Sequence, residues 1–97
     1  MIRDAEIQEI AAKILENRLA AQKFLSCDVK SEDDFDGVPV IRITAHILTP
    51  MKSITDKLNA TIEIQDRLQE RGEDRFVFLD IDTPADSEDD DAVETSN

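Results

Sequence analysis

Four acidic residues, Glu32, Asp33, Asp34 and Asp36, fall within the stretch SEDDFDG at 31–37. Oxygen donors at that density are able to hold a hard cation. Glu32, Asp34, Asp36 and Gly37 match positions 1, 3, 5 and 6 of a helix-flanked calcium loop. Position 12 then falls on Ile43, where a bidentate Glu is required. The following run, VPVIRITAHIL, is strand-like rather than helical. The stretch therefore reads as the turn of a hairpin, with Asp36-Gly37 supplying the turn chemistry. No metal is expected there.

A second pair of carboxylates, Asp80 and Asp82, closes the hydrophobic run RFVFLDID. Carboxylates two apart at a strand end suit magnesium and phosphoryl chemistry. The run FLDIDTP resembles the start of haloacid dehalogenase-type phosphatases, over seven residues. That resemblance implies a large α/β body and a downstream lysine, yet no lysine follows Arg75. The preferred reading is a strand running out into a charged linker.

His46 is the sole histidine and Cys27 the sole cysteine. Strand parity places His46 with Arg42 and Thr44 on a polar face, where Asp28, Lys30 and Asp80 join it if the registers allow. A histidine beside a carboxylate is a candidate general base. The plainer reading, a surface or interface histidine, is preferred. Parity puts Cys27 on the apolar face, as a small buried hydrophobe. One His and one Cys leave too few ligands for a structural zinc site. Gly37 and Gly72 are the only glycines, and neither opens a helix after a strand, so no phosphate loop and no cofactor is expected.

The elements that would position these residues follow from periodicity. Residues 4–25 read as a helix capped by Asp4. Its apolar stripe is Ile7, Ile10, Ala11, Ile14, Ala21 and Leu25, with Leu15 and Leu19 on its flank. Arg18 falls inside that stripe, either satisfied within the chain or reaching a second subunit. Residues 25–30 read as a first strand, with Leu25, Cys27 and Val29 inward. Residues 38–48 form the clearest strand, with Ile41, Ile43, Ala45 and Ile47 inward. The next helix, over 54–71, opens at Thr49-Pro50 or at Ser53 and stops at Gly72. Its stripe reads Ile54, Leu58, Thr61, Ile62, Gln65 and Leu68. Residues 75–81 form a third strand, with Val77, Leu79 and Ile81 inward and Phe76 and Phe78 outward. The order helix-strand-strand-helix-strand predicts an α+β two-layer sandwich, with both helices on one face of a small mixed sheet.

Size and charge bound the function. The chain has 97 residues, enough for one domain, expected over 1–82. Residues 83–97 are polar and acidic and are expected to be a disordered tail. The formal charge is −12, and residues 82–97 alone hold seven acids and no base. That balance disfavours nucleic-acid binding, which needs clustered cations. The element order invites comparison with KH-like domains, but a GxxG loop is missing. A single cysteine closes no internal disulfide, the first residues show no leader pattern, and no apolar run approaches membrane-spanning length. A cytoplasmic protein without membrane contact is the expectation.

What remains is the polar sheet face, where Val38, Val40, Phe76 and Phe78 interleave with Arg42, Thr44 and His46. Large apolar side chains among polar ones suit a protein interface. The sequence therefore points to a small accessory protein that binds through this face and self-associates, more readily than to an enzyme. The acidic tail would raise solubility or meet a basic partner. The alternative is a small enzyme or metal-dependent regulator using His46, Asp28 and Asp80.

Overall fold

The computed structural model describes residues 2–51 and 53–83. The expectation of a disordered tail lies outside them, except for Thr83, which is buried. The elements are helix α1 (Asp4–Arg18), a single 3-10 turn (Ala20–Gln22), strands β1 (Phe24–Asp33) and β2 (Pro39–Ile47), helix α2 (Ile54–Glu70) and strand β3 (Phe76–Asp82). The sheet order is β1-β2-β3, antiparallel between β1 and β2 and parallel between β2 and β3. The α+β sandwich with a mixed sheet is the one the sequence predicts. Parallel pairing follows because α2 is the crossover between β2 and β3.

Helix α1 ends seven residues earlier than its composition suggests. The Leu19 N–H closes on the Leu15 carbonyl at 2.7 Å, and Lys23 adopts φ +60°. The left-handed residue reverses the chain into β1. Ala21 is consequently exposed rather than part of the stripe. Asp4 does not cap α1; the cap position is Arg3, and the Asp4 carboxylate accepts the Ser31 hydroxyl at 2.6 Å. Arg18 is satisfied within the chain, its Nε donating to Glu63 of α2 at 2.7 Å.

The register of β1 slips between Phe24 and Ser26. The extra residue, Leu25, is 59% exposed, while Phe24 turns to the core. Simple alternation placed Leu25 inward, and a bulge reverses that. The hairpin turn is tight. Asp34 Oδ1 accepts the N–H groups of Asp36 and Val38, both at 2.9 Å, and Gly37 sits at φ +84°. Asp34 organises the turn, so β1 runs on to Asp33 and the loop shrinks.

Helix α2 opens at Ser53, whose Oγ accepts the Thr55 N–H at 3.1 Å. It closes with Gly72 at φ +91°, the Gly72 N–H on the Gln69 carbonyl and the Glu73 N–H on the Leu68 carbonyl. These are the paired bonds of a Schellman stop. Its buried stripe is Ala60, Ile64 and Leu68. Ile54, Leu58 and Ile62, which periodicity assigned to the stripe, are exposed.

The core lies between the helices and one sheet face. Ile7, Leu15, Leu19, Ile41, Ile43, Ile64 and Leu68 are fully buried there. A second, polar fastening closes one end of the sandwich. Glu73, 1% exposed, accepts the Ile2 N–H on Oε1 and the Arg75 Nε on Oε2, both at 2.9 Å. Arg75 also donates to the Ser31 hydroxyl and the Ile2 carbonyl. One ion pair thus ties the N-terminus, β1 and the start of β3.

Candidate functional site

Beyond the bulge at Leu25, the even-numbered residues of all three strands share the sheet face away from the helices. Register sets the rows: Glu32–Val40–Phe76, Lys30–Arg42–Phe78, Asp28–Thr44–Asp80 and Ser26–His46–Asp82. The face is apolar at one end and charged at the other. Of the residues the sequence singles out, Val38 is 52%, Phe76 59% and Phe78 38% exposed. Val40 is 2% exposed, so it offers no surface to a partner. Arg42, Thr44 and His46 are half-buried in the central strand.

The rings of Phe76 and Phe78 meet edge to face, with centroids 5.1 Å apart and planes at 65°. That geometry suits the ring quadrupoles. The Arg42 guanidinium lies 5.5 Å from the centre of Phe78. Its Nη1 donates to Asp80 at 2.8 Å and its Nε to Glu32 at 3.0 Å. Arg42 therefore spans all three strands and holds one face of the aromatic pair.

His46 does the same at the polar end. Its Nε2 lies 2.7 Å from Asp28 and its Nδ1 2.8 Å from Asp82. Two carboxylate acceptors require two N–H donors, so the bridging ring is an imidazolium. The Asp28 hydrogen bond, then that of Asp82, holds the His46 pKa above its ordinary value. The sign follows from linkage. Stability from this bridge is complete below the unfolded value near 6.5 and is lost as pH rises through the higher folded value. A proton NMR titration should place the His46 imidazole midpoint above 6.5, and Asp28→Asn should lower it. A midpoint at or below 6.5 in the unmutated chain would refute the bridge.

The alternative catalytic set does not assemble as proposed. Asp28 meets His46, but Asp80 is committed to Arg42, and Asp82 takes its place. While the ring holds both carboxylates, neither nitrogen of His46 has a free lone pair for a general base. Asp82 and Glu32 escaped the sequence reading as partners. Strand parity identifies both, once β3 is extended to Asp82 and β1 to Asp33.

Cys27 is 2% exposed, with Sγ 3.8 Å from the Gln8 carbonyl. Burial, then the neighbouring Asp28 charge, pushes its thiol up to about 11. It packs as a small hydrophobe, as parity predicts. Among the described residues no group of three or more His, Cys, Asp or Glu is arranged to hold a metal ion. Two acids of the 31–37 stretch are engaged elsewhere: Asp34 braces the turn and Glu32 pairs with Arg42. No helix among the described residues is long and apolar enough to cross a membrane. Comparison with protein-family models, curated proteins and solved structures finds no match to this chain.

Proposed function

We propose that this chain is a small interaction protein that docks through its open sheet face, and that the face joins two copies. The observation that carries the reading is the braced, exposed Phe76–Phe78 pair. The chain has four Phe and no Tyr or Trp; three of the four are exposed, Phe35 at the hairpin turn and the Phe76–Phe78 pair on the sheet face. Aromatic anchors with a polar rim are the usual composition of a contact surface.

The charged end fits this use. Glu32 and Asp80 each have Arg42, and Asp28 and Asp82 each have His46. Each cation is shared by two carboxylates, so the charged end keeps net negative charge and belongs at the rim of a two-copy contact, where solvent screens it. Covering the exposed parts of both rings recovers about 1.5–3 kcal/mol of transfer free energy. Association costs offset part of that gain, so the dimer is weak and reversible.

Sedimentation should show a dimer populated by about 100 μM, an affinity in the weak range for proteins. Phe78→Asp should return the chain to monomer while helix content and unfolding midpoint stay close to those of the parent. A monomer independent of concentration over that range, or a dimer indifferent to Phe78→Asp, would overturn the proposal.

A further inference from the structure

Strand β3 is an edge strand, and its outer side is closed along only part of its length. Backbone N–H and C=O groups of one residue point to the same side, alternating along a strand. Gln65 of α2 accepts the Val77 N–H at 3.0 Å and donates to the Arg75 carbonyl at 2.9 Å. Odd-numbered residues of β3 therefore turn their backbone groups outward. The Gln65 amide stands in for a neighbouring strand at Arg75 and Val77. No other described side chain does so further along, at Leu79 and Ile81.

Beside that open part lies a groove of about 420 Å³, walled by the start of α2 and the end of β3. Met51, Ile54, Lys57, Ile81 and Thr83 line it. Thr83 is 2% exposed, and its hydroxyl is buried without a hydrogen-bond partner. Ile54 of that lining starts a row on α2, with Leu58 and Ile62 following at four-residue spacing, exposed by 71%, 54% and 56%. Exposed aliphatic surface of α2 thus begins beside unpaired strand edge. Either feature alone is ordinary; together they make a slot for extended chain.

We propose that this slot takes an extended segment of a partner protein as a fourth strand, with apolar and basic residues alternating. The main chain would pair with Leu79 and Ile81, and alternate side chains would fall on opposite faces. On the helix side they meet Ile54 and Leu58, which calls for aliphatic residues. On the open side they meet Asp80 and Asp82, which calls for Lys or Arg. Lys57 is the cation on the helix wall among the described residues, so the residue facing it must be neutral or acidic.

Charge selects this occupant over two others. A second copy pairing antiparallel about Ile81 sets Asp80 of each copy opposite Asp82 of the other, twice, and like charges directly opposite repel. Pairing about Asp80 sets the two Asp80 side chains directly opposite each other, and pairing about Leu79 needs the Val77 N–H, which Gln65 already holds. The chain's own residues 84–97 carry six acids and no base, and would face the same carboxylates. Asp80 and Asp82 border both the slot and the Phe76–Phe78 face, so Leu58→Asp tests the slot and Phe78→Asp tests the face.

The full chain should be titrated with labelled synthetic peptides of alternating lysine and valine. Binding is expected to protect the Leu79 and Ile81 amides from hydrogen exchange. Replacing lysine by glutamate, or N-methylating the peptide backbone, should each weaken binding at least about tenfold. Leu58→Asp, at an exposed position, should do the same without unfolding the chain, whereas Phe78→Asp, which adds an acid beside Asp80, should not weaken it. Equal binding of the glutamate peptide, or indifference to Leu58→Asp, would overturn the proposal. Leu79 and Ile81 amides already protected without peptide would overturn it too. Protection that rises with chain concentration would identify a second copy in the slot, and protection independent of concentration the chain's own residues.

Discussion

Glu73→Ala should destabilise the fold by about 3–5 kcal/mol at pH 7, the cost of breaking a buried ion pair from one side. Glu73 is 1% exposed, and the Arg75 side chain is 9% exposed. Removing the carboxylate leaves a buried guanidinium with only the Ser31 hydroxyl and the Ile2 carbonyl as acceptors. The Ile2 N–H loses its partner as well. The pH dependence supplies an internal check. The Arg75 side-chain bond, with help from the Ile2 and Arg75 backbone N–H groups, holds the Glu73 carboxyl down to about 2. A depressed carboxylate contributes stability above its unfolded value of 4.5 and loses it as pH falls toward about 2. That shift corresponds to about 3 kcal/mol. Denaturant unfolding of parent and variant should therefore differ most at neutral pH and converge below about pH 2.5. A difference that stays constant down the whole range would mean that the loss is one of packing, not of charge.

The second large effect separates two neighbouring isoleucines. Ile64→Ala should cost about 2–5 kcal/mol, because Ile64 is fully buried between α2 and the sheet. Ile62→Ala should lie within about 0.5 kcal/mol of the parent, since Ile62 is 56% exposed. Folds of this size hold roughly 4–12 kcal/mol in total, so the first variant is expected to be partly unfolded at room temperature. Thermal melts of the two variants side by side make the comparison. Similar losses at both positions would put the α2 core stripe where hydrophobicity alone suggested.

That pair of residues also shows where the sequence was legible. In α2 two apolar rows compete, Ala60–Ile64–Leu68 and Ile54–Leu58–Ile62, and the second is the more hydrophobic. Periodicity gives the row spacing but not which row meets the sheet; the small Ala60 marks the close approach, a cue hydrophobicity discards. Strands were read better, because alternation leaves only two choices. Ile41, Ile43, Ala45 and Ile47 fell inward, and Phe76 and Phe78 outward, as parity demanded. Leu25 failed because a bulge inserts one residue, which flips parity locally. The Arg42 and His46 bridges were half visible: the cations stood out, but their partners depend on strand ends that propensity locates loosely. The Glu73–Arg75 fastening was not legible, since its contacts span Ile2 to Arg75 and no local pattern records them.

The Ile2–Glu73 hydrogen bond joins positions 71 apart in the chain. Contacts of such separation close nearly the largest loop available, and they form only once most of the chain is in place. The β1–β2 hairpin, by contrast, closes through a short turn and needs nothing else. The bond at Glu73 therefore belongs to the last step of folding and the first step of opening. Weakening it should leave the rate of folding nearly unchanged and raise the rate of unfolding. In stopped-flow chevrons of Glu73→Ala the refolding arm should overlay the parent's while the unfolding arm moves upward. A refolding arm that slows in proportion would place the clasp in the nucleus instead. For the protein in use, Glu73 is then less a determinant of whether the chain folds than of how long each folded molecule lasts.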